Sequence, residues 1–239
     1  MSVPFFYISS YQPGQQYVVL DESNSKHAIQ VLRLQAGDRV MLTDGLGRKL
    51  QGRITDHHRK ACQVQVESEH YIAPVKSPVV LAVSLLKNTS RLEWLLEKVT
   101  ELGVSRIIPL ICQRTEKESL RTERMQAVLI SAMLQSQQSW LPVLDKPHSF
   151  SQLEGLKKWG SNHCIAYCGP VDKMSLANWN RPMGSTLICI GPEGDFTEAE
   201  HAQAIQQGFT TVSLGENRLR TETAAMVAVT LLCQGNGPS

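Results

Sequence analysis

The spacing of apolar residues changes partway along the chain. In the first part, the short runs 39–43 and 49–54 are β-like, and apolar and polar residues alternate over 61–67, which predicts a further strand of the same sheet. Asp44-Gly45-Leu46-Gly47 separates the first two runs and predicts a hairpin turn. We therefore expect a small barrel-like β-module that also holds one short helix around residues 25–32.

Two prolines, Pro74 and Pro78, favour extended chain and predict a domain boundary where the pattern changes. Beyond them, continuous apolar runs alternate with stretches that have the period of an α-helix. The predicted strands are 79–86, 107–110, 163–167, 187–190 and 212–214, and the predicted helices are 90–102, 122–138, one that starts after Thr197 and one that starts at Thr221. This order is typical of an α/β domain with a parallel sheet, whose ligands bind at the carboxyl ends of the strands.

Two local signals refine these bounds. Ser90 and Glu93 have the spacing of a capping box, so the first helix of this domain is expected to begin at Ser90. Pro109 has no backbone N–H to donate, which suggests that the strand containing it ends there.

The turn Gly191-Pro192-Glu193-Gly194 is the most informative segment of the chain. It follows a buried strand, and glycine both takes positive φ without strain and lets a ligand approach the backbone closely. Thr197 and Glu200 form a capping box, so a helix is expected just after the turn. Glycine and proline also occur in ordinary turns, so a single turn of this composition is weak evidence for a ligand site.

A second strand-loop-helix unit lies downstream and strengthens the functional interpretation. A polar loop, 215–220, follows the strand 212–214, and Thr221 is a suitable N-cap, with Glu222 at the positive end of the helix dipole. Loops at the carboxyl ends of parallel strands lie at one edge of the sheet. We therefore expect the loops from Gly191 and Gly215 to converge on one pocket.

Composition removes several classes of function. The chain has 24 basic and 22 acidic residues, so its net charge neither requires nor excludes nucleic acid. Six cysteines lie mostly in apolar runs, and the cluster of His163, Cys164 and Cys168 lacks a second pair at zinc-ligand spacing, so we expect reduced thiols and no metal. No run approaches about 18 apolar residues and no export signal is recognisable, so we expect a soluble, cytoplasmic protein without a membrane partner. No dinucleotide or P-loop phosphate motif is present.

The motifs taken together closely resemble the 16S ribosomal RNA uridine N3-methyltransferases of the SPOUT, or trefoil-knotted, superfamily. The matching residues, in chain order, are His27 with Val31-Leu32-Arg33-Leu34, Gly37-Asp38, Asp44-Gly45, Lys87, Glu93, Lys98, Thr100 to Val104, Gln135-Ser136, Gly191 to Gly194 with Phe196-Thr197, Leu214-Gly215 and Leu219 to Ala224. The resemblance spans the whole chain. It implies a PUA-like RNA-binding β-barrel domain in residues 1–73 and an α/β SPOUT trefoil-knot domain in residues 74–239.

The same resemblance implies S-adenosyl-L-methionine as cofactor, 16S rRNA or the 30S subunit as partner, and a homodimer in which two knotted domains pack together. The apolar segment 224–232 is a candidate surface for that dimer. In this family three loops hold the cofactor, which here are the loop after Tyr167, the Gly191 turn and the segment 214–221. The implied cofactor-binding residues are Tyr167, Ile190, Gly191, Glu193, Gly194, Leu214, Gly215, Leu219, Arg220 and Thr221.

Methyl transfer to uracil N3 needs in-line approach of the nitrogen and loss of its weakly acidic proton. A cation that stabilises the developing uracil anion would assist, and Arg220 is the candidate. Glu193 and Glu222 are candidates for orienting the ligand or accepting the proton. Alternatively, Arg220 forms a salt bridge with one of these carboxylates and only shapes the fold.

Candidate contacts to RNA phosphates are Lys26, Arg33, Arg48, Lys87, Arg91 and Arg114, of which Arg33 and Arg91 are favoured by their match to the family. The chain also departs from the family pattern. Residues 134–138 read Leu-Gln-Ser-Gln-Gln where Glu-Gln-Ser-x-Arg is common, and Asp195 replaces a frequent glycine. The lost arginine keeps open an alternative, a non-catalytic RNA-binding or ribosome-assembly protein with the same fold.

Overall fold

A computed structural model describes residues 3–234, which divide into two compact units. The first unit holds the chain up to Pro74 together with Met133–Leu141, and the second holds Val75–Ala132 and the chain from Pro142 onward. The predicted change from β-module to α/β pattern coincides with the division after Pro74. The inclusion of Met133–Leu141 in the first unit was not anticipated, because these residues read as the continuation of a helix.

The first unit is built on a five-stranded sheet. Its elements are β1 (Phe5–Tyr7), β2 (Tyr17–Val19), α1 (Glu22–Lys26), a π-helical turn (His27–Val31), β3 (Arg39–Thr43), β4 (Arg48–Asp56) and β5 (Gln63–Tyr71). The strand order is β1-β3-β4-β5-β2, with β1 parallel to β3 and the other pairs antiparallel. The predicted hairpin is confirmed, because β3 and β4 pair with Thr43 opposite Lys49.

Trp140 explains why its segment belongs to the first unit. The indole N–H donates to the Ile72 carbonyl over 2.9 Å, and the ring meets Tyr71 edge to face. Gly47 has φ of +95°, and a Cβ at this position would lie 2.6 Å from the Trp140 ring. Only glycine therefore fits the hairpin turn beneath the indole.

The second unit is an α/β domain. Its elements are β6 (Val79–Ser84), α2 (Thr89–Glu101), β7 (Arg106–Ile111), α3 (Thr122–Gln135), β8 (Val143–Leu144), β9 (His148–Ser149), a 3₁₀ segment (Phe150–Trp159), β10 (Asn162–Ala166), β11 (Met174–Ser175), β12 (Thr186–Ile190), α4 (Glu198–Gln206), β13 (Thr210–Ser213) and α5 (Thr221–Gln234). The strand order is β11-β13-β10-β12-β6-β7-β8, with β9 also on β7, and the pairs are parallel as predicted.

Three predictions about element bounds were wrong. The helix that begins at Thr122 ends at Gln135 rather than at residue 138. The N-cap of α2 is Asn88 rather than Ser90, because the Asn88 side chain accepts hydrogen bonds from the N–H groups of Ser90 and Arg91. Pro109 does not end β7, which continues to Ile111. On the side of β7 away from β6, partner strands pair with its first two and last two residues only, so Pro109 falls in an interval where no N–H is needed.

The helix α5 uses most of its apolar residues inside its own domain. Ala225, Ala228, Val229 and Leu232 are buried, and the helix packs against α2, β6 and β12. Much of the segment expected to supply a dimer surface is therefore already covered. No helix in residues 3–234 is long and apolar enough to cross a membrane.

Candidate functional site: a three-loop cleft and an adjacent groove

The carboxyl ends of three neighbouring strands create the main cleft of the second unit. β10 lies between β12 and β13 and runs parallel to both, so the loops that follow these strands lie at one edge of the sheet. The loops enclose a cleft of about 570 Å³. The predicted convergence of the loops from Gly191 and Gly215 is confirmed.

Most residues expected to bind a cofactor lie together in this cleft. Those that line it are Tyr167, Ile190, Gly191, Glu193, Leu214, Gly215, Leu219 and Thr221. Gly194 and Arg220 do not contribute to its lining. Lining residues that sequence reasoning missed include Cys168, Lys173, Asp195, Glu198, Asn217 and Arg218. Their positions in the same three loops were the only signal available.

The glycines of the turn are required for a reason other than the one expected. Neither Gly191 nor Gly194 has positive φ; the left-handed residue of the turn is Asp195, with φ of +64°. A Cβ on Gly191 would lie 3.0 Å from the backbone nitrogen of Phe196, and a Cβ on Gly194 would lie 3.2 Å from Cδ of Arg114. Close packing against backbone, not backbone conformation, therefore favours glycine at position 191, whereas the contact at position 194 is with the flexible Arg114 side chain.

The turn is anchored by contacts on either side. The Arg114 guanidinium donates to the Gly194 carbonyl over 2.5 Å, so this predicted RNA contact lies in the wall of the cleft. Asp195 accepts a hydrogen bond from the Cys168 N–H in the loop after β10. After the turn, the expected capping box of Thr197 and Glu200 is confirmed.

Tyr167 forms a stacked aromatic wall of the cleft. Its ring lies 4.2 Å from the His201 ring at an interplanar angle of 12°, and Nε2 of His201 is 2.8 Å from Oγ1 of Thr211. Burial lowers the pKa of His201, which favours the neutral imidazole. Burial first, and then the Asp195 carboxylate, raise the pKa of the Tyr167 hydroxyl.

Arg220 faces a second, smaller groove. The groove has a volume of about 340 Å³ and is lined by Ser90, Arg91, Trp94, Arg220, Glu222 and Thr223. Leu219, Thr221 and Ala224 line the cleft, so the segment 219–224 contributes three residues to each site. Trp94 is 41% exposed in this groove.

Glu222 is the buried acid of the groove. It is 7% exposed, and its Oε1 lies 3.7 Å from Nε of Arg91. Its Oε2 has no hydrogen-bond partner within residues 3–234. In that part of the chain Arg220 forms no ion pair, so the alternative in which it bridges to Glu193 or Glu222 is not observed. The structure thus brings Arg220 and Glu222 to one groove and leaves Glu193 exposed in the cleft.

The remaining cations predicted for RNA differ in their surroundings. Lys26 pairs with Glu22 over 2.8 Å, Lys87 pairs with Glu116 over 2.6 Å, and Arg48 bonds Asp44 and Glu69 over 3.1 Å each. Arg33 is exposed, has φ of +58° and has no ion-pair partner in the described chain. Within residues 3–234, no group of three or more His, Cys, Asp or Glu side chains is placed to hold a metal.

Comparison with known proteins decides the family. Residues 73–233 match the family model described as the RNA methyltransferase domain, and residues 20–67 match the RNA methyltransferase PUA domain. The chain belongs to the RNA methyltransferase family. A relative from Synechocystis sp., named ribosomal RNA small subunit methyltransferase E, is 34% identical over 220 residues, which cover 89% of this chain and 71% of the relative.

Solved structures agree with this assignment. A probable rRNA-methyltransferase from Porphyromonas gingivalis has a TM-score of 0.89 and 33% identity, with 98% of each chain covered. The ribosomal RNA small subunit methyltransferase E from Neisseria gonorrhoeae, bound to S-adenosyl methionine, has a TM-score of 0.86 and 28% identity over the same coverage. The expected α/β fold, with a PUA domain before a SPOUT methyltransferase domain, is confirmed.

Proposed function

We propose that this protein transfers a methyl group from S-adenosyl-L-methionine to N3 of a uridine in 16S rRNA of the small ribosomal subunit. The observation that carries the proposal is the three-loop cleft at the ends of β10, β12 and β13, in a chain of the RNA methyltransferase family. A cytoplasmic location follows from this substrate. The trefoil knot remains a prediction from the family resemblance.

The chemistry of the cleft fits this cofactor. S-adenosyl-L-methionine combines an apolar adenine face with a sulfonium cation and a zwitterionic amino acid. The cleft likewise combines apolar side chains with both signs of charge: Tyr167, Ile190, Leu214 and Leu219 are joined by Glu193, Asp195, Glu198 and Glu216 and by Arg114, Lys173 and Arg218. Its size is in the ordinary range for small-molecule sites. When bound, the cofactor supplies an electrophilic methyl group.

Residues of the adjacent groove suit the removal of the uracil N3 proton and the stabilisation of the resulting charge. The uracil N3 proton must leave, and negative charge then develops on O2 and O4. The Arg220 guanidinium stabilises that charge, while the Glu222 carboxylate accepts the N3 proton. Its Oε2 is buried and has no hydrogen-bond partner among residues 3–234, so the side chain turns toward the groove when the substrate binds. Arg91 holds the other oxygen of the same carboxylate in position. Glu193, on the cleft side, orients the cofactor.

The test is methylation of 16S rRNA and of 30S subunits with labelled S-adenosyl-L-methionine, followed by digestion and mass spectrometry. We expect N3-methyluridine in the digest. A methyl group on a ribose or on another base atom would contradict the proposed position. A protein that binds RNA but does not bind the cofactor in calorimetry would instead support the non-catalytic alternative.

A homodimer is part of the proposal. On α5, Met226, Val227, Thr230 and Leu231 are only partly buried within the domain and provide the remaining contact face. Sedimentation at micromolar concentration should give twice the chain mass of 26.6 kDa. A stable and active monomer would contradict it.

A further inference from the structure

Asp195 connects two loops that form separate parts of the cleft wall. Its Oδ2 accepts the Cys168 N–H over 2.8 Å, in the loop after β10, and its Oδ1 accepts the Phe196 N–H over 2.8 Å. Its own N–H donates to the Pro192 carbonyl over 2.9 Å and closes the turn after β12. One residue therefore fixes the turn and ties it to the neighbouring loop.

The backbone of Asp195 has a conformation that glycine would adopt more easily. Its φ of +64° lies in the left-handed region, which most side chains avoid and which Asp and Asn tolerate better than others. Glycine would adopt this conformation with less strain but has no carboxylate. The chain thus keeps a residue that is less favourable for the backbone at a position where its side chain makes two hydrogen bonds.

These hydrogen bonds are not needed to start α4. Thr197 and Glu200 already cap that helix reciprocally, with Oγ1 of Thr197 accepting the Glu200 N–H and the Glu200 carboxylate accepting the Thr197 N–H. The bond from Cys168 to Asp195 joins residues 27 positions apart in the chain. Its direct effect is therefore on the loop that contains Cys168, Gly169, Pro170 and Lys173, all of which line the cleft.

We propose that Asp195 is a positioning residue that clasps the loop after β10 to the turn after β12 and so sets the affinity for the cofactor. The identity of that cofactor rests on the proposed function. A loop ordered before binding loses less conformational entropy when the ligand arrives, which increases affinity. Asp195 takes no part in methyl transfer itself, so it acts on binding rather than on the chemical step.

The experiment compares Asp195→Gly and Asp195→Asn with the wild type. Glycine keeps the backbone conformation and removes the clasp, so S-adenosyl-L-methionine should bind about tenfold more weakly in calorimetry, as expected for loss of a charge-assisted hydrogen bond and loop order. Asparagine tolerates positive φ and retains one acceptor oxygen, so it should restore part of the affinity. The matched control is Asp172→Gly, which removes an exposed carboxylate of the same loop that does not line the cleft.

Two further readouts separate this role from a purely structural one. For Asp195→Gly, the melting temperature should stay within about 3 °C of wild type, because relief of strain offsets the added freedom of the unfolded chain. The single-turnover rate at saturating cofactor and RNA should change less than about twofold. Equal cofactor affinity in Asp195→Gly and wild type would overturn the proposal, as would a loss of affinity matched by Asp172→Gly.

Hydrogen exchange in the ligand-free protein distinguishes this inference from the proposed function. The Cys168 amide should exchange about tenfold faster in Asp195→Gly, because its acceptor is gone and the loop opens more often. This measurement needs no cofactor. If the wild type bound no S-adenosyl-L-methionine, the proposed function would fail while the exchange result still tested the clasp. Unchanged exchange at Cys168 would overturn the clasp even if the cofactor bound.

Discussion

The segment 219–224 contributes different residues to the cleft and to the groove, and the two sites are built in different ways. The cleft is held by backbone groups: Arg114 binds the Gly194 carbonyl, and Asp195 binds the Cys168 N–H. The groove consists of charged side chains and an exposed indole, linked by a single 3.7 Å ion pair between Arg91 and Glu222. The loops of the cleft are thus joined by hydrogen bonds to backbone groups, whereas in the groove Oε2 of Glu222 has no hydrogen-bond partner among residues 3–234.

Replacing Arg220 should give the largest effect and should separate the two regions most clearly. Arg220→Ala removes one of the two arginines of the groove, leaves Arg91 in place and does not alter the lining of the cleft. The single-turnover methylation rate at saturating RNA and cofactor should fall by roughly 10²-fold or more, as for other electrostatic stabilisers. Cofactor affinity should stay near that of wild type. A wild-type rate would make Arg220 a binding or structural residue and leave Glu222 or Glu193 as the better candidate.

Two glycine substitutions test the packing of the cleft. Gly191→Ala places a Cβ 3.0 Å from the backbone of Phe196, which cannot move without shifting the turn. We expect about 1–3 kcal/mol lower stability and about tenfold weaker cofactor binding. Gly194→Ala is the matched variant, because its Cβ meets the flexible Arg114 side chain instead, and its effect should be smaller. Calorimetry and urea unfolding measure both, and equal effects would refute the packing explanation.

Arg33 lies outside both the cleft and the groove, so its replacement should change RNA binding alone. Arg33→Ala should weaken RNA binding and reduce the slope of its salt dependence by about one, since a phosphate contact does not touch the methyl donor. Lys26→Ala is the control, because Lys26 already pairs with Glu22 and should matter less. Filter binding at several salt concentrations provides the slopes. A change in cofactor affinity upon Arg33→Ala would contradict this division of roles.

The smallest expected effect concerns pH and the aromatic wall of the cleft. Burial lowers the pKa of His201 in the folded protein below its usual value of 6.5. The unfolded chain therefore binds a proton at higher pH, and His201 lowers the free energy of unfolding as the pH falls from about 6.5 toward the folded pKa. Urea unfolding at pH of about 7.5 and 5.5 should show a smaller loss of stability in His201→Gln than in wild type. An identical loss in both proteins would argue against this origin.

Sequence reasoning predicted the parts of the fold that depend on local pattern. The β3–β4 hairpin and the capping box at Thr197 each follow from a few neighbouring residues, and the parallel sheet follows from the alternation of strands and helices. The resemblance to a known family identified eight residues that line the cleft. Each of these features depends on residues that are close together in the sequence or on a recognisable motif.

What sequence reasoning missed depends on contacts between distant residues. Pro109 lies inside a strand because partner strands leave one interval of β7 unpaired. Gly191 is favoured by its close approach to the backbone of Phe196, a contact that no turn rule includes. Arg220 lies on the groove side of its segment because successive residues around the start of α5 face different directions, and the exact phase is set by packing.

The return of Met133–Leu141 to the first unit has a consequence for the order of folding during synthesis. The last strand of that unit ends at Tyr71, yet Trp140, which donates to the Ile72 carbonyl, emerges from the ribosome only after Val75–Ala132 of the second unit. Domains commonly fold as units as the chain emerges. Here the N-terminal unit cannot acquire all its native contacts until residue 141 has been made, so a nascent chain that ends before Trp140 leaves the hairpin turn at Gly47 uncovered.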